Sequence, residues 1–586
     1  MAIKNHILSV RRFFAGSSKE NLKYIAAVGL LFLIFISLRL PLLDFIYHQD
    51  EHKWARIVNP VFSLQGESVH PPLTEITFYY FGELFGYDHL RWLILLFAAA
   101  CFWLIFAIAR EHYGPKAALC SLLLFAIVPY SVIASIQVDI DGAILPLWIL
   151  LTFWSFAKID WPNFNQSVAN RRWLIIFSIA ILGGLLSKIS FVLIAPGLFF
   201  YYLHRYQAAI NRRLFARVFY VSLAVLAALA LILLLLHWLY PPLSPVRFLE
   251  YTRNFSWFNF SSRNYSQVLF LVAKAALLLS PFLLLLSNLK NFGRRHEFWA
   301  WYIISGLLFY LVLFDFSNRT IDRYLMFLIL PLVFIGGDAL ARWLNEAKNS
   351  AGRSFVTNSL IASGIVLLPL GAWLALSYNK ILPLVPKIAY LEQIKNLDFS
   401  FLLPFSSGSG PLGFYMSAKF IIVFWTLSLS AILIFYKFSH GKFKNIMLTT
   451  FMSLALIYCL FFNFELAYGW LYGSPDKAAV SILQATIANK EIDKVITYND
   501  TGVYELASAG KHGGRFYTQP LFEDSSRRRM REYQGYFTVV DFPEINKQSV
   551  FWRYLQSCGT VAQAEDKRVN GYIFDCRGGD INLLKE

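Results

Sequence analysis

The chain has 586 residues, 57% of them hydrophobic and 15% charged. Soluble globular chains carry roughly 25% charged residues, so most of this one belongs in lipid and a wholly soluble protein is excluded. The net charge of +17 does not point to nucleic acid, because the basic residues are scattered over many short connections, the pattern that orients membrane proteins.

Met1 to Lys23 is basic and polar, and no small-residue cleavage site follows the first apolar run. An uncleaved anchor is therefore expected, with residues 1–21 as a cytoplasmic N-terminus. A membrane-crossing helix needs about 20 apolar residues. Runs of that kind lie at 22–40, 91–110, 116–135, 141–159, 173–187, 189–204 and 215–239. Others lie at 266–288, 298–315, 323–341, 357–377, 418–437 and 446–468. Together they predict about 13 spans by the same length rule, with 173–187 and 189–204 short enough to be re-entrant or one bent helix. With the N-terminus inside, each inner connection is basic, as at Arg110, Arg171, Arg212, Arg294, Arg342 and Lys442. That parity places 41–90, 240–265, 378–417 and the C-terminal domain outside. The last two loops are long enough to be lids or substrate contacts, or else interfacial connectors.

From about Gly469 the composition becomes that of a soluble domain, so 22–468 is expected to be the membrane module and 469–586 an extracytoplasmic α/β domain. Within it 475–489 and 548–557 read as helices and 494–498, 537–541 and 572–574 as strands. Arg527 to Arg531 reads as a solvated face, or as a contact for anionic head groups. Cys101, Cys120 and Cys459 lie in apolar runs, whereas Cys558 and Cys576 are candidates for a disulfide if their domain is extracytoplasmic.

The residues that could carry chemistry gather at the outer face. Asp50 and Glu51 are adjacent in the first outer loop, 41–90; on a helix they would point about 100° apart and take different tasks. A carboxylate there could act as a general base toward an acceptor hydroxyl, or the two form a solvated loop pair. His70 precedes Pro71 and Pro72, which suit the start of a flat-lying amphipathic helix over 74–86. His70 itself either bonds a phosphate or sugar or serves as a cap. Asp139 and Asp141 end the third span; in an extended turn they would face the same way and share a cation or a polar substrate. Lys188 interrupts an apolar run, either to meet a lipid phosphate or to snorkel to the interface. Arg319, Arg323 and Tyr324 precede the tenth span as phosphate ligands or as helix-end anchors. The polar residues sit at one face and no large internal repeat is present, which favours an enzyme over a carrier.

Asp50-Glu51, His70-Pro71-Pro72-Leu73, Gly86 with Arg91, Asp141, and Arg323-Tyr324-Leu325 together resemble the GT-C membrane glycosyltransferases. Among these, the pattern is similar to protein O-mannosyltransferases and to the aminoarabinose transferases that modify lipid A, over residues 20–340. The resemblance implies a GT-C-like fold and a polyprenyl-phosphate sugar donor used at the extracytoplasmic face of a bacterial inner membrane. It implies inverting transfer to a protein, lipid or glycan hydroxyl. Asp50 would be the base, and Lys188, Arg323 and Tyr324 would stabilise the departing lipid phosphate. No cofactor is required by many such relatives, which leaves a divalent cation at Asp139 and Asp141 as the lesser expectation. His70 stands where aminoarabinose transferases have lysine, so the donor need not be aminoarabinose.

Overall fold

The computed structural model describes residues 19–56, 71–161, 168–207, 265–287, 295–313, 322–351, 382–384, 389–405, 410–437, 442–519, 522–542 and 545–585, with scattered positions in 216–238. The chain is a multi-pass helical membrane protein with a C-terminal α/β domain. Among the described residues, seven helices are long and apolar enough to cross a bilayer. Shorter apolar helices lie at Pro115–Ile127, Ile189–Arg205, Val268–Leu279 and Glu297–Leu313. The expected spans at 22–40, 91–110, 141–159, 323–341, 418–437 and 446–468 all coincide with long apolar helices. The span at 357–377 lies outside the described residues, and 215–239 largely so. The count of about 13 from the length rule is thus neither reached nor replaced.

The chain divides into two compact units, Met1–Leu40 with Ile57–Asn345, and Pro41–Arg56 with Glu346–Glu586. This boundary differs from the change in composition at Gly469. That change follows the end of the Lys442–Tyr468 helix, whereas contacts thin out at Asn345. Glu465, near the end of the Lys442–Tyr468 helix, accepts the amides of Leu471 and Tyr472 at 2.8 and 2.7 Å. Ser474 N then donates to Asp566 at 2.9 Å, and Lys567 Nζ donates to Gly469 O at 2.9 Å. The last spanning helix is welded to the soluble domain.

In the first unit the Pro72–Phe85 helix buries Thr74, Glu75, Phe78 and Gly82 and leaves Tyr80, Leu84 and Phe85 exposed. Pro72 starts it as expected, because its missing amide is unpaired in a first turn anyway. In the second unit the expected loop 378–417 holds a small sheet: β1 (Leu382–Pro383) parallel to β2 (Phe401–Phe405), which is antiparallel to β3 (Phe414–Ser417).

The C-terminal sheet contains β4 (Val495–Tyr498), β5 (His512–Phe516), β6 (Tyr536–Val540), β7 (Gly559–Asp566) and β8 (Val569–Asp575), in the order β5-β4-β6-β8-β7. β4 pairs in parallel with β5 and β6, whereas β8 is antiparallel to β6 and β7. Alternate residues enter two cores, as strand pleating requires. Val495, Val540 and Ile573 pack with Ile482 and Leu483 of the Pro475–Ala488 helix. Ile496, Phe537 and Phe574 pack with Phe551, Tyr554 and Leu555. Ile46, from the segment Pro41–Arg56, belongs to the first of these cores; burying such a side chain stabilises by roughly 1.5–3 kcal/mol. Cys558 and Cys576 are joined in a disulfide, and Cys101, Cys120 and Cys459 are buried thiols.

Candidate functional site

The membrane unit collects its charges where three helices break. The Pro129–Ala134 helix stops at Ser135, and Arg91 Nη1 donates at 3.1 Å to Ile136 O, a carbonyl released by that helix end. Asp139 is extended (φ −158°, ψ 174°), and its Oδ1 accepts the Ile140 amide at 2.6 Å. A single π turn, Ile140–Ile144, then enters the Leu145–Lys158 helix. Only glycine fits this turn, because a Cβ at Gly142 would lie 2.0 Å from Ala134 O. Lys188 is the second break, extended between the Val168–Ser187 helix and a 3-10 stretch at Ile189–Ile194. The third is the 3-10 stretch Asp322–Leu328. Irregular backbone at membrane depth is tolerated where protein buries it or where it lines a cavity.

These breaks bring Asp139, Asp141, Lys188, Arg323 and Tyr324 together. Lys188 Nζ donates to Asp141 Oδ2 at 2.5 Å. Arg323 Nη1 donates to Asp139 Oδ2, and its Nε lies 3.6 Å from Asp141 Oδ2. All four charged side chains are buried, so each needs the others to offset desolvation. The Tyr324 ring sits 5.4 Å from Lys188 Nζ and 5.7 Å from Arg323 Cζ, within cation–π range. A small cleft opens beside them. Asp141, Ser190, Tyr302, Tyr310, Arg323 and Tyr324 form its polar wall, and Leu145, Ile149, Leu193 and Phe327 are among its apolar lining. Few convergent polar groups in an apolar cleft make a small-ligand site. Arg323 is the cation among these lining residues, and a guanidinium beside tyrosine hydroxyls suits an oxyanion such as phosphate.

The notion of a cation shared by Asp139 and Asp141 meets a donor set already engaged by Arg323 and Lys188. Among the described residues, no group of three or more His, Cys, Asp and Glu side chains could hold a metal ion. His70 and Arg319 lie outside the described residues.

Asp50 and Glu51 belong to the second unit, in the loop 41–56. Glu51 opens a short helix, Glu51–Ala55, and is 0% exposed; its Oε2 accepts the His48 amide at 3.3 Å. Asp50 is half-buried, and its Oδ1 receives Lys53 Nζ at 2.6 Å. The two acids thus have different environments. Gln49, just before them, has a left-handed backbone (φ 48°), a conformation that costs of order 1–3 kcal/mol and persists where its surroundings impose it.

Those surroundings come from the C-terminal domain. Ile46 N donates to Asp476 Oδ1 at 2.9 Å and Tyr47 N to Glu505 Oε1 at 3.1 Å. His52 Nε2 lies 3.7 Å from Asp500 Oδ1. Arg515 Nη1 donates to the same oxygen, and Tyr517 Oη reaches it at 3.1 Å. Burial tends to raise the Asp500 pKa, but the neighbouring His52 and the Arg515 charge outweigh that and hold the carboxyl well below the usual carboxylate range. His52, Asp500, Arg515 and Tyr517, like Tyr302 and Tyr310, stand in no motif or spacing that marks them in the sequence. One signal for Asp500 was present: it follows the strand expected at 494–498, and ligands of open α/β sheets gather at strand carboxyl ends.

Residues 69–238 match the sequence family described as dolichyl-phosphate-mannose-protein mannosyltransferase. No curated protein sequence matches the chain. Among solved structures, ArnT from Cupriavidus metallidurans in the apo state superposes with a TM-score of 0.52 at 15% identity, covering 95% of this chain and 98% of that one. ArnT from the same organism bound to undecaprenyl phosphate matches with the same figures. The S. cerevisiae protein O-mannosyltransferase Pmt1-Pmt2 complex bound to the sugar donor matches at 20% identity and TM-score 0.30, over 38% of this chain and 34% of that one. In fold the chain resembles the ArnT structures, and over 69–238 it carries the mannosyltransferase family pattern, so its likeness is to the GT-C membrane glycosyltransferases.

Proposed function

We propose that this chain is a membrane glycosyltransferase that moves a sugar from a polyprenyl-phosphate donor to an acceptor hydroxyl at the extracytoplasmic face. The observation that carries the proposal is the cleft lined by Arg323, Tyr302, Tyr310 and Tyr324, with Lys188 Nζ 5.4 Å from the Tyr324 ring. The ArnT fold supports it, since one such structure was determined with undecaprenyl phosphate. The Cys558–Cys576 disulfide agrees with an oxidising, extracytoplasmic compartment for the soluble domain. A bacterial inner membrane fits the same fold.

In the proposed reaction Asp50 accepts the proton of the acceptor hydroxyl as its oxygen attacks the anomeric carbon. The bond from that carbon to the phosphate oxygen breaks, and the electron pair leaves with the polyprenyl phosphate. Lys188 and Arg323 neutralise the departing phosphate, and Tyr324 supplies a hydroxyl. A single displacement inverts the anomeric centre. Because fixed side-chain cations meet the leaving group, the scheme routes no step through a metal. The buried Glu51 shapes the Asp50 turn and does not act as a second base.

Purified full-length protein incubated with radiolabelled undecaprenyl-phosphate sugars and candidate acceptors tests the proposal. Covalent transfer that survives delipidation supports it. Binding of the lipid with no transfer to any protein, lipid or glycan acceptor overturns it in favour of a carrier.

A further inference from the structure

Parallel α/β sheets usually take ligands at the carboxyl ends of their strands, where the strand order reverses. In the C-terminal domain that point is β4: the chain runs from β4 to β5 on one side, then to β6 on the other. Asp500 lies two residues beyond β4, and Tyr517 one residue beyond β5. Asn499, with a left-handed backbone (φ 55°), donates its amide to Phe516 O at 2.9 Å and ties the two strand ends together. The position is occupied by the chain's own loop, because His52 meets Asp500 there while Arg515 Nη1 lies 3.4 Å from His52 Nε2. Two residues before His52 stands Asp50.

We propose that Asp500 is a positioning residue for transfer: with Arg515 and Tyr517 it grips His52, so the soluble domain sets the orientation of Asp50. The proposal rests on the reaction described above, and it gives the domain a role in catalysis besides folding. Three features separate it from an incidental surface contact. Ile46 lies in the domain core, Asp476 and Glu505 hold the amides before the turn, and Asp500 receives three side-chain partners. The loop's left-handed Gln49 is then held from both sides.

The test uses full-length protein in nanodiscs with Asp500→Asn, Asp500→Glu and Tyr517→Phe. Hydrogen exchange over residues 46–56 reports the grip, undecaprenyl phosphate binding reports the membrane site, and single-turnover transfer reports chemistry. Asp500→Asn should speed exchange of 46–56 and slow transfer by about 10²-fold, the scale of a small misplacement of a reacting group. Its undecaprenyl phosphate affinity should stay at the wild-type value. Tyr517→Phe, which removes only the 3.1 Å bond to Asp500, should show a smaller change in the same sense, and Asp500→Glu should recover part of the rate. Unchanged exchange in both neutral variants overturns the proposal whatever the activity. Faster exchange with wild-type transfer reduces the contact to a structural clasp and also overturns it. A wild-type protein that transfers nothing removes the proposed reaction and the positioning role with it, while the exchange data still show whether the grip exists.

Discussion

Lys188 Nζ and Asp141 Oδ2 sit 2.5 Å apart across 47 residues of chain, each at a break in a membrane-embedded helix. Neither break would be stable alone. A lysine at membrane depth needs an anion, and a turn carrying two aspartates needs cations. The pair therefore fastens two irregular segments and keeps a cation beside the cavity.

Lys188→Met should lower undecaprenyl phosphate affinity by about 10–100-fold, as expected for losing one charge-assisted hydrogen bond of roughly 1.5–3 kcal/mol. It should also destabilise the fold, because among the described residues Asp141 then keeps the 3.6 Å approach of Arg323 Nε as its ion pair. The double variant Lys188→Met/Asp141→Leu should regain thermal stability without regaining lipid affinity. Isothermal titration and melting curves on the two variants separate these effects. Equal loss of both properties in the double variant would contradict the ion-pair account.

Gly142→Ala brings a Cβ to 2.0 Å from Ala134 O, a backbone atom that cannot rotate aside. The turn carrying Asp139 and Asp141 must then open, at a cost of about 3 kcal/mol, the upper part of the usual overpacking range. Transfer and melting temperature should both fall. An alanine variant with unchanged melting and activity would show that the turn is looser than described.

Asp50→Asn should cut turnover by about 10²–10⁴-fold, the usual scale of general base catalysis, with lipid binding intact. Glu51→Gln should act differently. Glu51 is buried and accepts the His48 amide, so its loss should appear first as faster hydrogen exchange in 46–56 and only then as lower turnover. A Glu51→Gln enzyme with a normal loop and no turnover would reassign the base.

What could be read from residue order follows from physics that acts locally. Apolar runs marked the spans because lipid demands length and continuity. Pro71 and Pro72 marked the start of the helix at 72–85 because proline fits a first turn. Asp139, Asp141, Lys188 and Arg323 were legible as oddities, since charge at a span end is costly. Their mutual pairing was not, because it depends on three breaks far apart in the chain. β5 was missed because Gly513 and Gly514 lack strand character, and β7 because its side chains are largely exposed. The docking of 41–56 into the C-terminal domain was invisible for a similar reason: His52 and Asp500 are 448 positions apart by their numbers, and neither belongs to a recognisable spacing.

The Cys558–Cys576 bond closes a stretch with a sequence separation of 18. By chain entropy, a loop of this length stabilises by about 3 kcal/mol. Reduction, or Cys558→Ser with Cys576→Ser, should lower the melting temperature of the C-terminal domain while leaving undecaprenyl phosphate affinity of the membrane unit unchanged. Thermal scans with and without reductant measure it. An unchanged melt would mean that the bond adds no net stability.

His512 gives the domain a pH dependence whose sign can be worked out. Burial, followed by the positive charges of Arg515, Arg56 and His52, pushes its pKa down to about 4, with Asp500 opposing. An unfolded histidine titrates near about 6.5. Above that value both states hold a neutral ring and the domain has its full stability. As pH falls below it the unfolded chain takes up a proton that the folded ring refuses, so stability drops until about pH 4. Melting of the full-length protein at intervals across that window should therefore fall with acid, and His512→Asn should flatten the slope. The side chain is only partly buried, so solvent screening limits the size of the effect. A wild-type slope of the opposite sign, or an undiminished slope in His512→Asn, would show that another group governs the acid response.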